Sequence, residues 1–508
     1  MDMKNFKRNA GAVNMTEGPV LLPFIRYTLP VVLSGMLSLL FNTVDMVVVG
    51  QFVGESAVAA VGSTTSLIGF ITNFFLGISM GATVKLATDI GAGEKNLNRA
   101  VQTAYTLGII FGLVTCLTGC ILAENMLVWM KTPSDVLPQA TLYLRIYFIG
   151  QPGFMIFSFG RAILSAFGDT RSPLCYLAAA GAVNVVFNLF FVVICGQGVA
   201  GVAAATVMSQ FLSAILVTGR LRALEEPHRL SLKKLMLEKT VIARIMYLGV
   251  PSGLQTMLFL MSTVLIQSSV NSLNSTSLVA GNSSATNIEG FIYTAMISVA
   301  QGCIAFSGQN YGARSVVRLK KVYQVSIFLE IAVGAPMGLA ACFCGRDLLR
   351  LFLPDSAAGI EYGMARLQVI AVTYFLCGIM DCTTYMIRGM NRTIFPLVAT
   401  VAGSVVFRII WIFTVFPRAR RGLGITQAYH ILLISYPISW IVTFTVLFLY
   451  YLAAVRNIQA ETEGAGAGRR RKRSATVPSE LCAFAHASTC FARTPPGACL
   501  DIRLLRKR

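Results

Sequence analysis

The sequence predicts an all-α polytopic membrane protein with about twelve transmembrane helices, arranged as two six-helix lobes related by an internal repeat. Three observations predict this fold class. Of the 508 residues, 55% are hydrophobic and only 13% are charged, and the mean hydropathy is +0.68. A composition this apolar is not that of a soluble protein. The other two observations are a series of apolar segments long enough to cross a bilayer and a block that occurs twice in the chain.

The apolar segments reach the roughly 20 residues that a helix needs to cross the hydrocarbon core of a bilayer. Each should be a helix, because a segment exposed to lipid must satisfy its own backbone hydrogen bonds. The predicted spans are 22–49, 57–83, 100–123, 137–166, 173–195, 199–221, 242–270, 276–306, 322–345, 361–387, 394–416 and 429–455.

The repeat appears when the sequence is shifted by 221 positions without a gap. The shift places these pairs together: Pro30 on Pro251, Met36 on Met257, Val58 on Val279, Gly69 on Gly290, Gly81 on Gly302 and Gly91 on Gly312. Each copy crosses six times, so both enter the membrane from the same side, as in parallel repeats. The predicted domains are an N-terminal segment (1–20), two lobes (21–221 and 242–455), a linker (222–241) and a basic disordered tail (456–508).

The distribution of basic residues predicts the orientation. Lys and Arg concentrate in alternate loops and in the N-terminal segment, so the positive-inside rule predicts that both termini and the linker are cytoplasmic, in the inner or plasma membrane. The loop at 417–424 is basic but should lie outside. The tail holds 11 Lys/Arg and 4 Asp/Glu, so about +7 of the net charge of +20 lies there. Its basic run could contact the anionic headgroups of membrane lipids, and the alternative is a simply solvated tail. We expect no nucleic-acid binding.

One carboxylate lies inside the first span. Asp45 follows Asn42 and Thr43, and an ionised Asp at the centre of a span costs about 2.5–3.5 kcal/mol, which calls for a function. Its repeat equivalent is Ile266, so this polar site belongs to one lobe only. In a pocket of low dielectric constant the carboxylate could bind a proton or be neutralised by a cation. The alternative is a solvated Asp near the external end of the helix.

Seven short stretches, in this order among the predicted spans, resemble the multidrug and toxic compound extrusion (MATE) transporters over about residues 20–455. They are NTVD at 42–45, GDTRSP at 168–173, NVVFN at 184–188, GVAAATVMSQ at 201–210, NIEGF at 287–291, SGQNYGA at 307–313 and RGMNRTIFP at 388–396. No single stretch is diagnostic, but together they are highly specific. The resemblance implies secondary active efflux of organic, often cationic, compounds, driven by inward sodium or protons. The chain has no P-loop sequence, which fits an ion gradient as the energy source.

The resemblance also implies a set of coupling residues in the N-terminal lobe. In the family, the Asp of the first span binds the coupling cation or proton, which assigns Asp45, and polar residues around it correspond to Asn184, Asn188 and Thr206. Asn184 and Asn188 are four residues apart and so share a helix face. The family often has Asp at the position of Asn188, so the identity of the ion is in doubt. The alternative for these residues is ordinary hydrogen bonding between helices. No metal site is predicted beyond a possible Na⁺ at Asp45.

In the C-terminal lobe, Glu289 and Asp381 are predicted to face the substrate cavity, where either could neutralise a cationic substrate. Some relatives have an acidic residue in the seventh span, whereas 254–270 contains none. Asp381 could instead pair with Arg388, seven residues further on. Arg161, in the fourth span, is expected to extend to the inner membrane surface rather than into the cavity.

These observations predict an antiporter that exports small amphipathic or cationic organic compounds against H⁺ or Na⁺, as a monomer and without a cofactor. The sequence has no nucleophile–base pair or metal cluster, so we expect no enzyme. One alternative is a flippase for a lipid-linked precursor from the same superfamily, whose members tend to have more spans and cationic cavities. The other is a membrane scaffold or receptor, in which Asp45 could be replaced without loss of transport.

Overall fold

The structure of the protein, a computed structural model, describes residues 13–94, 96–226 and 228–467. Every regular element in these ranges is a helix. The α-helices are α1 (Leu21–Phe52), α2 (Glu55–Ala92), α3 (Leu97–Trp129), α4 (Leu137–Ile149), α5 (Gln151–Ala166), α6 (Arg171–Leu189), α7 (Gly198–Arg222), α8 (Lys239–Asn271), α9 (Thr276–Gly312), α10 (Val316–Phe343), α11 (Gly345–Phe352), α12 (Ala357–Arg366), α13 (Val372–Gly389), α14 (Ile394–Thr400), α15 (Phe407–Gly422) and α16 (Ile425–Ala467).

Among the described residues, eleven helices are long and apolar enough to cross a membrane. The remaining predicted span, 137–166, consists of two shorter helices, α4 and α5, which meet at Gly150. Pro152 lies at the start of α5, and because proline has no N–H it cannot continue the hydrogen-bond ladder of α4. The predicted fold class, an all-helical membrane protein with about twelve spans, is therefore confirmed.

Three of the spans contain a π-helical turn, and each turn adjoins a buried polar residue. The turns are Phe190–Ile194, Leu367–Ala371 and Val401–Val406. They follow Asn188 and Arg366 and precede Arg408, each by two residues or fewer. A π-turn inserts an extra residue and so rotates the helix beyond it, and such turns are frequent at functional sites.

The two copies of the repeat pack against each other through equivalent residues. With the shift of 221 positions, α1 and α2 correspond to α8 and α9. Gly81 of α2 lies directly against Ile245 and Gly249 of α8, and its equivalent Gly302 of α9 lies against Phe24 and Thr28 of α1. These are exact counterparts in the repeat, so the helix pairs α2/α8 and α9/α1 are related by an approximate two-fold axis.

A second symmetric contact lies where α2 and α9 end, on the side of the bundle that carries the segment between α7 and α8, which we call the linker face. Gly91 of α2 lies against the backbone of Gln309, and Gly312 of α9 lies against the backbone of Thr88. At both glycines a Cβ atom would overlap the facing carbonyl oxygen. The lobes are therefore in backbone contact at the linker face, as in the close packing of membrane helices through small residues.

We expect Gly91→Ala to destabilise this contact, because the new methyl group cannot be accommodated unless α2 and α9 move apart. Overpacking of this kind costs about 1–3 kcal/mol, so the thermal midpoint of the protein in detergent should fall. Gly62 is the matched control, since it lies on the same helix and a methyl group added there would have no other side chain or backbone atom within 4 Å. Gly62→Ala should leave the midpoint unchanged or raise it slightly. Equal midpoints for both variants would contradict the tight contact.

Two of the segments predicted to be non-helical, the loop at 417–424 and the tail from 456, are partly helical in the structure. The basic stretch at 417–424, predicted as a loop, is helical as far as Gly422, so Arg420 and Arg421 occupy the last turn of α15. Cations in this position interact favourably with the negative end of the helix dipole. The helix α16 continues to Ala467 and so includes the first residues of the predicted tail. The rest of that tail, 468–508, lies outside the described residues, as does most of the predicted segment 1–20.

Candidate coupling pocket and central cavity

The structure brings the four predicted coupling residues together in one hydrogen-bonded network, which we call the coupling pocket (Asp45, Asn184, Asn188 and Thr206). Asn188 Nδ2 donates to Asp45 Oδ1 and also, at 3.2 Å, to Asn184 Oδ1. Asn184 Nδ2 in turn approaches Thr206 Oγ1 at 3.5 Å. The network connects α1, α6 and α7 within the N-terminal half of the chain. Both asparagines reach the network from α6, because their four-residue spacing places them on one face of that helix.

The coupling pocket holds one carboxylate among neutral groups. Asn184 and Asn188 are buried, and Asp45 is half-buried. The buried Asn188 Oδ1 has no hydrogen-bond partner in the described part of the chain. The pocket thus combines a single negative charge with an unused oxygen acceptor. A proton or a small cation would neutralise the carboxylate, and the free oxygen could serve as a ligand for the cation.

A central cavity of about 510 Å³ lies between the two halves of the chain. Its volume is within the range typical of sites for drug-sized ligands. The N-terminal half lines it with residues of α1, α2, α5 and α6, and the C-terminal half lines it with residues of α8, α9, α12, α13 and α16. Polar and aromatic side chains dominate the wall, and Asp45 does not line it. The coupling pocket and the cavity are therefore separate sites.

Glu289 lines the cavity as predicted, but its charge is neutralised by Arg366. Arg366 Nε donates to Glu289 Oε1 at 3.0 Å, and Arg366 Nη2 donates to Oε2 at 2.8 Å. The remaining Nη1 donates at 2.9 Å to Asn282 Oδ1, which also accepts from Tyr429. The two charged side chains are only 3% and 6% exposed. This bidentate pair links α9 to α12, and the surrounding hydrogen bonds extend the link to α16.

Asp381 lies behind the cavity wall rather than in it. It is buried on α13, near Cys377, which does line the cavity. The alternative partner, Arg388, makes no ion pair with it within 4 Å; Arg388 Nη2 donates instead to Gln255 of α8, and its guanidinium lies over the ring of Tyr385. Of the two residues predicted to face the cavity, the structure therefore places only Glu289 in its wall.

Sequence reasoning missed three buried charged residues of the C-terminal half: Glu330, Arg366 and Arg408. Glu330 and Arg408 are fully buried. Both carboxylate oxygens of Glu330 lack a partner in the described part of the chain, as do both Nη atoms of Arg408, whose Nε donates to Ser439 at 3.1 Å. A signal was available, since Glu330 and Arg408 are each the lone charge of a predicted apolar span, and Arg366 shares its span with Glu361 and Asp381.

Glu330 packs against the backbone of α13 at Gly378, where a methyl group would come within 2.5 Å of its Oε2. A buried carboxyl group without a hydrogen bond costs free energy. We therefore expect Glu330→Met to raise the free energy of unfolding by about 1 kcal/mol or more, measured by denaturant titration in detergent. Glu289→Met is the matched comparison, because that carboxylate is equally buried but paired. This replacement should lower the free energy of unfolding. A loss of stability in Glu330→Met would indicate a partner for Glu330.

Arg161 also departs from expectation. The sequence suggested that its side chain extends to the membrane surface, but in the structure it is half-buried and lines the central cavity, together with its neighbours Ser158 and Ser165. Its guanidinium makes no ion pair among the described residues.

Comparison with known proteins identifies the class of molecule to which this two-lobed helical bundle belongs. The sequence model of the family described as MatE matches residues 30–190 and 251–414, which are most of the two repeat copies. The chain belongs to the MatE family. It is thus a multi-pass membrane transporter of the multidrug and toxic compound extrusion class, as the sequence motifs predicted.

Individual relatives of this MatE protein are distant but cover most of the chain. It is 26% identical over 386 residues to the "Probable multidrug resistance protein YoeA" of Bacillus subtilis, covering 74% of this chain and 82% of the relative. It is 22% identical to the "FAD transporter" of Shewanella oneidensis, covering 79% and 89%. A solved structure of an "Outward-facing conformation of a multidrug resistance MATE family transporter" has a TM-score of 0.80 at 20% identity, covering 88% of this chain and 99% of that one. At this identity the structure supports the fold alone.

Proposed function

We propose that this MatE protein is a secondary active efflux transporter, which exports small amphipathic organic compounds in exchange for inward H⁺ or Na⁺. The observation that carries the proposal is the spatial separation of two sites: a single-carboxylate pocket inside one lobe and a drug-sized cavity between the lobes. A separate ion site and substrate site are what an antiporter needs, because each must influence the other through the arrangement of the helices.

The geometry suggests how the two sites communicate. The coupling pocket joins α1 to α6 and α7, and α1 also lines the cavity through Tyr27, Val31 and Ser34. Neutralisation of Asp45 would weaken the hydrogen bond that its carboxylate accepts from Asn188. The packing of α1 against α6 would therefore change. Since α1 is part of both sites, ion binding can change the shape of the cavity and favour release of the substrate.

In alternating access, the central cavity is open to only one side of the membrane at a time. The symmetric contact at the linker face would close the cavity on that side. If the linker face is cytoplasmic, as the positive-inside rule predicts, the backbone contacts of Gly91 and Gly312 seal the cavity from the cytoplasm. Rocking of the two lobes about the approximate two-fold axis would then open this side. The proposed location is the inner or plasma membrane, with both termini cytoplasmic and the protein acting as a monomer.

Either ion is compatible with the pocket. One carboxylate with three neutral polar neighbours can bind a proton directly, and its oxygens together with the free Asn188 Oδ1 would supply ligands for Na⁺. The family name does not decide the substrate, since one relative is named as a carrier of FAD and another as a multidrug resistance protein. The flippase alternative is weakened by the size of the cavity, about 510 Å³, which suits a small molecule better than a lipid-linked precursor.

The proposal is tested by transport in proteoliposomes that contain the full-length protein. Sodium and proton gradients are imposed separately, and the movement of small aromatic dyes of either charge is followed by fluorescence. We expect one of the two gradients to drive dye against its concentration gradient, which also identifies the coupling ion. Absence of gradient-driven movement for every dye, with protein that is folded and inserted, would reject ion-coupled efflux of small molecules.

A further inference from the structure

We infer that the central cavity selects small aromatic organic anions, and that Arg161 pairs with their acidic group. This inference deepens the proposed function and depends on it. It differs from the expectation of cationic substrates, which counted Glu289 and Asp381 as free carboxylates in the cavity.

The charges of the cavity wall favour an anion. Among the described residues, the charged side chains that line the cavity are Arg161, Glu289 and Arg366. Glu289 and Arg366 form a bidentate pair, with each carboxylate oxygen accepting one N–H, so they cancel each other. The charge that remains for a substrate is the positive charge of Arg161.

The guanidinium of Arg161 is available to a ligand. No hydrogen bond or ion pair from it is formed with the described residues around the cavity, and the nearby hydroxyl of Tyr27 donates to the carbonyl of Ser165 instead. The hydroxyl of Ser158 likewise donates to its own helix, at Phe154. A guanidinium offers five N–H donors in a planar fork, which matches a carboxylate or sulfonate and has no affinity for a cation.

The aromatic wall is arranged so that it disfavours cations. Cationic ligands bind to the faces of aromatic rings, but four rings of the wall already have a guanidinium over them. The guanidinium of Arg408 lies 4.2 Å from the ring centroid of Tyr436, 5.4 Å from that of Phe259 and 5.9 Å from that of Trp440. The guanidinium of Arg388 lies 5.2 Å from the ring centroid of Tyr385. A second cation at these rings would meet the repulsion of the first across a ring. The apolar body of an aromatic anion can stack on the same rings without that penalty.

The remaining buried carboxylates do not cancel the positive charge that Arg161 gives to the cavity wall. Asp45 lies in the coupling pocket, and Asp381 and Glu330 lie behind the wall, where they face the buried cysteines of α9 and α13 and Asp381 partly balances Arg388. None of the three lines the cavity. A substrate therefore meets Arg161 directly and the carboxylates only through intervening side chains.

The inference is tested with two probes of the same size and shape and opposite permanent charge, 1-naphthalenesulfonate and N-methylquinolinium. Equilibrium binding to the purified protein is measured for wild type, Arg161→Gln and Arg161→Lys. We expect wild type to prefer the sulfonate. Loss of a charge-assisted hydrogen bond should weaken its binding by about tenfold in Arg161→Gln, whereas Arg161→Lys should retain most of it and quinolinium binding should not fall.

Arg26→Gln is the matched control, because Arg26 is an exposed residue of α1, next to Tyr27 in sequence, and does not line the cavity. It removes the same charge and should not change sulfonate binding. If wild type prefers quinolinium, or if Arg161→Gln and Arg26→Gln bind the sulfonate equally, the inference is wrong. If a gradient drives quinolinium but not the sulfonate, the proposed antiport stands and only the substrate class fails; if neither probe moves under any gradient, the proposed function itself fails.

Discussion

Replacing Asp45 with Asn should abolish gradient-driven transport and leave the protein folded. Asparagine keeps the size of the side chain and an oxygen that can accept from Asn188 Nδ2, so the network between α1 and α6 can persist. It cannot take up a proton or neutralise a cation, so the pocket no longer responds to the ion gradient. Transport of a dye driven by either gradient in proteoliposomes should therefore fall to the leak rate of liposomes without protein.

Two further variants make this result specific. Asp135→Asn makes the same chemical change at an exposed position between α3 and α4 and should transport at the wild-type rate. Asn188→Ala removes the donor to Asp45 and retains the carboxylate, so we expect it to be impaired without being inactive. Normal gradient-driven transport by Asp45→Asn, with unchanged thermal stability, would show that Asp45 is a structural residue and that coupling occurs elsewhere.

Breaking the pair between Glu289 and Arg366 should have the largest effect on stability. Removal of one partner leaves the other as an uncompensated buried charge, which costs about 3–5 kcal/mol in comparable pairs. Both Glu289→Gln and Arg366→Gln should therefore strongly lower the free energy of unfolding, measured by denaturant titration in detergent. The double variant should lose much less than the sum of the two single losses, because it leaves no unpaired charge.

The chain contains a natural control for this experiment. Arg346 and Glu361 form an ion pair of similar length, 2.7 Å, but their side chains are 60% and 62% exposed. An exposed pair contributes about 1 kcal/mol or less, so Glu361→Gln should change the stability little. If Glu289→Gln were as mild as Glu361→Gln, the buried pair would not hold α9 and α12 together as the structure indicates.

The positions of the spans and the unusual carboxylate of Asp45 could be predicted from the sequence for clear physical reasons. The thickness of the bilayer imposes a minimum apolar length, so each span is visible as a run of residues. Asp45 is visible because it breaks such a run, whereas Asn184, Asn188 and Thr206 were assigned to its surroundings by the resemblance to the MATE family. The repeat predicted that α1 and α2 have counterparts in α8 and α9, and the symmetric contacts of Gly91 and Gly312 agree with it.

The partners of the buried charges could not be predicted in this way. Glu289 and Arg366 are 77 residues apart on different helices, and Arg161 faces the cavity through the rotation of α5. In a soluble helix the apolar stripe shows which face points inward, whereas the spans of a membrane protein are apolar on all faces. The sequence by itself therefore determined the membrane class, the family, the internal repeat and the carboxylate that interrupts the first span. Only the tertiary structure decided which charges are neutralised and which one faces the central cavity unpaired, because that depends on how the helices rotate and cross.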